Sequence, residues 1–347
     1  MWSANALDQM PVHFILCTER TGSSLLSAML SMNPSLLVAS EEPFALYFVK
    51  KYGRIRQWGN KDIENYVSDF YALFEKNSAL YFIDPPVFKV RLLEHQSILT
   101  YERVIKLSYL SFYDDAIKEK KSVSVLVDKQ MKYVFHKDEV MALFPTAKII
   151  VLARDVLNNI EAKSRRKIDF FTHPYYQAQI WRMTYERALT FPAPKCITFE
   201  RLIENTEAQL HEINAYLEVE YSAKQGAYQE GFRTLIEHRS SYLTPEYKDS
   251  LMNFHSGILA KGMHGKTQHE INPRHLAVIL NQTNSLRIKL GYQGITKPQA
   301  LSVGAWMQWQ CFGMIAYIFR PLLWRTYRKI PLALKTMLRG KKGPKNP

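Results

Sequence analysis

Val12 to Met32 reads VHFILCTERTGSSLLSAMLSM, and this stretch decides the fold. Val12–Cys17 is a short, nearly all-apolar run. Bounded by a turn, such a run reads as a strand buried on both faces. Thr18–Gly22 is the turn. Ser23–Met32 then places Leu25, Leu26, Met29 and Leu30 at helical spacing. A buried strand, a short loop and a helix thus follow one another within 32 residues.

Working outward, the same alternation repeats. Ser122–Val127, Lys148–Ala153 and Cys196–Phe199 read as further strands. Helices are expected over Lys61–Lys76, Ile98–Lys120, Val134–Phe144, Leu157–Lys167, Thr206–Leu217 and Asn272–Leu290. Strands alternating with helices predict an α/β fold, a P-loop-like parallel sheet flanked by helices. Residues 10–293 form this domain, and residues 294–347 a helical C-terminal extension. The opening MWSANALDQMP lacks the early basic residues and apolar core of a secretory signal.

Charge divides the chain the same way. The net charge of the 347 residues is +14. Ten Lys and Arg and no Asp or Glu lie between Gly294 and Pro347, which leaves +4 for the first 293 residues. In the tail, basic residues are interleaved with Trp324, Tyr327 and leucines. Ser302–Phe319 precedes them as an apolar run carrying Trp306 and Trp309. That combination suits an in-plane helix on an anionic membrane surface rather than a nucleic acid. The run is barely long enough to cross a bilayer, Gln308 and Gln310 lie near its centre, and Pro321 breaks it. Cys17, Cys196 and Cys311 are too widely spaced for a disulfide scaffold or zinc site, so a reducing compartment and no metal are expected. A cytoplasmic protein, peripheral on the cytoplasmic face of a membrane, is the resulting expectation.

The loop after the first strand carries the chemistry. Against the phosphate-loop pattern GxxxxGK[ST], Gly22 and Ser24 match, while Cys17 replaces the first glycine and Ser23 the lysine. A glycine-bearing loop entering a helix N-terminus still suits an anion. Without the lysine that bridges the β- and γ-phosphates, a nucleoside triphosphate is disfavoured.

Three blocks now carry a resemblance. They are RTGSSLLSAMLSMNPSLLVASEE (Arg20–Glu42), VDKQMKYVFHKDEVMALFPTAKIIVLARD (Val127–Asp155) and ITFERLI (Ile197–Ile203). Together they resemble the sulfotransferases that use 3′-phosphoadenosine 5′-phosphosulfate (PAPS), nearest to the tyrosylprotein and bacterial branches. The resemblance spans roughly residues 12–293. It implies that Arg20, Thr21, Gly22, Ser23 and Ser24 hold the 5′-phosphosulfate. For the 3′-phosphate it implies Arg154, with Arg166 twelve residues on. The family's serine eight residues after that arginine is Ala162 here, and Ser164 is the nearest substitute. Lys261-Gly262-Met263-His264-Gly265-Lys266 is similar to the family's phosphate-closing loop, which implies Lys261, Gly262 and Lys266.

Sulfuryl transfer needs a donor at the leaving oxygen and a base for the acceptor's proton. Lys129 follows a strand end 25 residues before Arg154. If those strands are parallel neighbours, both side chains sit at the C-terminal sheet edge, where ligands bind in open α/β sheets. For the base, the resemblance points to the loop holding Glu41 and Glu42. Spacing favours Glu41, and the following Pro-Phe favours Glu42, so both stand. His136 is the rival. His173, Tyr175 and Tyr176 are candidates for the acceptor pocket. The sequence thus predicts a sulfotransferase moving a sulfuryl group from PAPS, without metal, to a hydroxyl or amine on a lipid, glycolipid or saccharide. The alternatives are a P-loop small-molecule kinase and a non-catalytic nucleotide- or polyanion-binding module.

Overall fold

The structure, a computed structural model, describes residues 2–40, 44–74, 85–111, 123–164, 173–229, 271–294, 302–319 and 322. Five strands form one sheet: β1 (Val12–Leu16), β2 (Leu36–Ser40), β3 (Val125–Lys129), β4 (Ile149–Ala153) and β5 (Lys195–Thr198). Their order is β2-β3-β1-β4-β5. Every pairing is parallel. The strand that opens the chain therefore sits at the centre, with its loop at the middle of the C-terminal edge.

Alternate residues of each strand feed opposite cores. Phe14, Leu16, Ile149, Val151 and Ala153 face one apolar cluster, which takes in the helices Tyr101–Ser111, Val156–Ser164 and Pro174–Ala188. Ile15, Cys17, Ile150 and Leu152 face the other, beneath the helices Ser23–Ser31, Phe199–Glu204 and Thr206–Leu217. Burial of both strand faces explains the unbroken apolar runs in the sequence.

Three expectations are refined. Leu36–Ser40, not among the expected strands, is the edge strand β2, in register with β3 from Leu36↔Val125 to Ser40↔Lys129. So short a segment carries no periodicity, and its pairing with β3 makes it a strand. β3 and β4 are not neighbours, because β1 lies between them. Lys129 and Arg154 still end at the same edge, flanking the β1 loop. Val134–Phe144, expected as one helix, is a 3₁₀ turn (Met131–Phe135) followed by the helix Lys137–Leu143. His136 interrupts it with a non-helical backbone, φ −137° and ψ 37°.

The helix after β1 ends at Ser31, Pro34 follows three residues later, and the exit is held by a buried polar network. Asn33 Nδ2 donates to Asn214 Oδ1 at 2.9 Å and to the Glu220 carbonyl at 2.8 Å. The extension also enters the body. Its helix Val303–Met314 continues as a wider π-type turn through Phe319. Trp309 and Ala316 are fully buried. Gln179 Nε2 donates to the Trp309 carbonyl at 3.1 Å, and a Cβ on Gly313 would stand 2.8 Å from that same nitrogen.

His13, in the central strand, is buried, and its Nδ1 accepts from the Lys148 backbone N–H at 3.0 Å. Burial, reinforced by the nearby Lys148 charge, lowers its pKa to about 4. A histidine depressed in the folded state takes up its proton more readily when unfolded. Its stabilising contribution is present above pH 6.5 and fades as pH falls toward 4. Between pH 7 and 4.5 this one group removes about 2.5 kcal/mol. In His13→Gln, which keeps an acceptor but does not titrate, the drop in unfolding free energy over that interval should be smaller by about this amount. An equal drop in unfolding free energy between pH 7 and 4.5 in the two proteins, read from denaturant titrations at each pH, would refute the assignment.

Candidate functional site

Two backbone features shape the loop after β1. Arg20 has φ +63° and Gly22 has φ +82°. Left-handed residues on either side of Thr21 give the tight turn from which anion-binding concavities are built. Thr21 is buried and pins the turn by donating its hydroxyl to the Thr18 carbonyl at 2.9 Å. Gly22 is the N-cap of the helix Ser23–Ser31, and no side chain caps it. The first N–H groups of that helix, with half-buried Ser23 and Ser24, therefore stand at the mouth of the loop.

Gly22 is required for a second reason. A Cβ there would lie 2.2 Å from Cδ2 of Phe199. The Phe199 ring fills the space a side chain would take, and its face carries the Arg154 guanidinium, 4.9 Å from the ring centroid. Arg154 Nη1 in turn donates to the Arg20 carbonyl at 3.2 Å. Arg20 and Arg154 are thus tied together across 134 residues. The Arg154 carbonyl accepts from Trp181 Nε1 at 2.9 Å, which fixes the end of β4.

The next two residues of the strand ends complete the corner. Asp155 Oδ2 pairs with Arg287 at 3.0 Å, and its backbone N–H donates to Glu200 Oε1 at 3.1 Å. Glu200 also accepts from Asn158 and, at 2.8 Å, from the Tyr292 hydroxyl. Burial and the Glu200 carboxylate push the Tyr292 pKa far up, so this phenol remains a donor. The ARD and TFE segments noted in the sequence are therefore two halves of one buttress. On the other side of β1, the Tyr109 and Tyr133 hydroxyls donate to Asp128 Oδ2 at 2.7 and 2.6 Å. That buried trio anchors the end of β3. Lys129, the next residue, is buried and sits in register with Ile15 and Ser40. Its charge works against the rise that burial imposes on the Cys17 thiol pKa.

Two further residues were not found from the sequence. Asn159 and Lys163 lie four apart on the helix Val156–Ser164, and both are buried. Asn159 Nδ2 donates to the Glu19 carbonyl at 2.7 Å, and Lys163 Nζ pairs with Glu19 Oε2 at 3.3 Å. They hold the outer arm of the loop. Their signal was available: two polar residues at helical spacing on a face otherwise made of Val156 and Ile160. Ser164, the last residue of this helix, is exposed. Glu41, Glu42, Arg166, Lys261, Gly262 and Lys266 lie outside the described residues. His136 is buried, with Nδ1 3.0 Å from Glu139 Oε1. His173 caps the helix Pro174–Ala188 and stacks on Phe312 of the extension at 4.2 Å, and Tyr175 packs against Trp309. These aromatics are part of the joint between body and extension.

The fold is thus a parallel sheet of the phosphate-loop type, with a glycine-bearing loop at its centre and Arg20, Lys129 and Arg154 at its C-terminal edge. The sulfotransferase family matches residues 11–223, well over half of the chain, and the protein belongs to that family. Similar solved structures are sulfotransferase domains and enzymes. That from the curacin biosynthetic pathway is 19% identical with a TM-score of 0.41, covering 62% of this chain and 76% of that one. That from the Synechococcus PCC 7002 olefin synthase is 19% identical with a TM-score of 0.40, covering 90% and 98%. The sulfotransferase of Alicyclobacillus acidocaldarius is 13% identical with a TM-score of 0.35, covering 70% and 96%. No curated protein matches the chain in sequence.

Gly22→Ala tests the loop. A left-handed alanine and a displaced Phe199 together should cost about 2 to 4 kcal/mol. Denaturant unfolding that shifts by less than about 1 kcal/mol would show that Phe199 yields freely and that the stack does not hold the loop.

Proposed function

We propose that this sulfotransferase takes its sulfuryl group from PAPS and delivers it to a hydroxyl or amine of a membrane-embedded acceptor, a lipid, glycolipid or lipid-linked saccharide. The reading is supported by the position of Arg20, Lys129 and Arg154 at the C-terminal edge of the sheet, beside the loop that enters the helix Ser23–Ser31 at Gly22. Backbone N–H groups, serine hydroxyls and fixed cations are the donors that a phosphosulfate and a separate 3′-phosphate require.

In this reading the loop Arg20–Ser24 binds the 5′-phosphosulfate. Arg154 binds the 3′-phosphate, joined by Arg166, Ser164 and the segment with Lys261, Gly262 and Lys266, as the family resemblance implies. Lys129 donates to the bridging oxygen as the S–O bond breaks and charge grows there. A carboxylate, Glu41 or Glu42, takes the acceptor's proton while its oxygen or nitrogen bonds to sulfur. β2 ends at Ser40 directly opposite Lys129, and the two glutamates follow it in the chain, which supports their candidacy. Adenosine 3′,5′-bisphosphate leaves. The membrane side of the reading rests on the exposed apolar face of the extension and its wholly basic charge.

Adenosine 3′,5′-bisphosphate should raise the melting temperature, and ATP with magnesium should not. Stabilisation by ATP alone would favour a kinase instead. By calorimetry, Arg20→Ala and Arg154→Ala should each weaken bisphosphate binding by about 1.5 to 3 kcal/mol, the loss of one charge-assisted contact. Unchanged affinity in both variants would overturn the cofactor assignment.

The base is tested separately. Either Glu41→Gln or Glu42→Gln should lower turnover by about a hundredfold or more while bisphosphate binding stays normal. Full activity in both would move the base elsewhere, with His136 the next residue to substitute.

A further inference from the structure

The helix Val303–Met314 is apolar around nearly its whole circumference, yet the body covers only one side of it. Trp309, Gly313 and Ala316 face inward, packed on the helix Pro174–Ala188 beside Tyr176, Ile180 and Met183. Val303, Trp306, Met307, Met314 and Ile318, at successive spacings of three, one, seven and four residues, face outward. A helix that is apolar all round is ordinarily buried all round. Among the described residues eight large apolar side chains are exposed, and six of them lie between Val303 and Leu322, from 48% to 75% exposed. Such concentration marks an interaction surface.

Charge decides what covers it. The sequence from Arg320 to Pro347 carries nine basic residues and no acidic one, and it continues directly from this helix. Interfacial tryptophan, flexible methionines and a run of positive charge are the composition that sits in the headgroup region of an anionic bilayer. No helix among the described residues is long and apolar enough to cross a membrane. We infer that the outer face of Val303–Ile318 lies in the plane of an anionic lipid surface, with its inner face bolted to the catalytic body. The bolt matters. Phe135, which closes the turn after Lys129 and Gln130, packs in the same cluster as Ala316, Phe312 and Tyr317. Tyr317 also donates to Glu186. The surface-bound helix is therefore rigidly joined to the segment that leaves the active edge of the sheet. A tethering tail would leave the orientation of the body free, whereas this joint sets it.

The test uses the full chain and its outer-face variant Met307→Glu/Met314→Glu. Flotation would be measured with vesicles of phosphatidylcholine alone and of phosphatidylcholine with about one-third phosphatidylglycerol, at low and high salt. The wild type should bind the anionic vesicles at least about tenfold more tightly than the neutral ones, and less at high salt. The variant should lose at least about tenfold of that binding while its melting temperature and bisphosphate affinity stay unchanged. A second readout adds no charge to the face. Cys311 is exposed, whereas Cys17 is buried. In a Cys196→Ala chain, an environment-sensitive dye on Cys311 should shift to the blue on adding anionic vesicles. Failure of the wild type to float, equal flotation of the variant, or an unshifted dye would each overturn the inference. A wild-type dimer that the variant abolishes, without vesicle binding by either, would assign the face to a second copy of the chain.

Discussion

Stacking of Phe199 between Gly22 and Arg154 is the contact on which the site depends. It joins three strand ends that are far apart in sequence: the loop after β1, the residue after β4 and the residue after β5. Because the ring occupies the volume where a Cβ would be, the loop can approach β5 only with glycine at position 22. Because the ring supports the guanidinium, Arg154 reaches the Arg20 carbonyl instead of extending into solvent. A cation held this way has lost its rotamer freedom before any ligand arrives, so less entropy opposes binding.

Around that stack the protein uses buried, paired polar groups as struts. Asp128 with two tyrosine hydroxyls, Glu200 with three donors, and Glu19 with Lys163 each fix one strand end or loop arm. Such groups are costly to bury unless their partners are in place. Their presence at the C-terminal edge, and the mainly apolar interior of the strands below, separate the part of the sheet that must be rigid and polar from the part that need only pack. The extension helix adds a further constraint. It shares a cluster with the turn following Lys129, so the covered face of the helix and that end of the sheet are packed together.

The sequence by itself determined the class of fold and the strand–loop–helix at its centre. Strands of this type are buried on both faces, so their apolar runs stand out, and β1, β4 and most of β3 were legible within a few residues. The strand–loop–helix of Val12–Met32 is a local motif, and its suitability for an anion follows from backbone geometry that glycine and the helix start announce. Lys129 and Arg154 were legible because a residue just beyond a parallel strand must lie at the ligand-binding edge. Tertiary structure alone decided the rest. Strand order is a long-range property, so β1 between β3 and β4, and the strand character of Leu36–Ser40, emerge only from pairing. Asn159 and Lys163 look like ordinary helix polars until the loop is placed against them. The extension shows the limit most plainly. Composition recorded that Ser302–Phe319 is apolar, but only packing could divide its circumference, because which side of a helix is covered depends on the surface it meets.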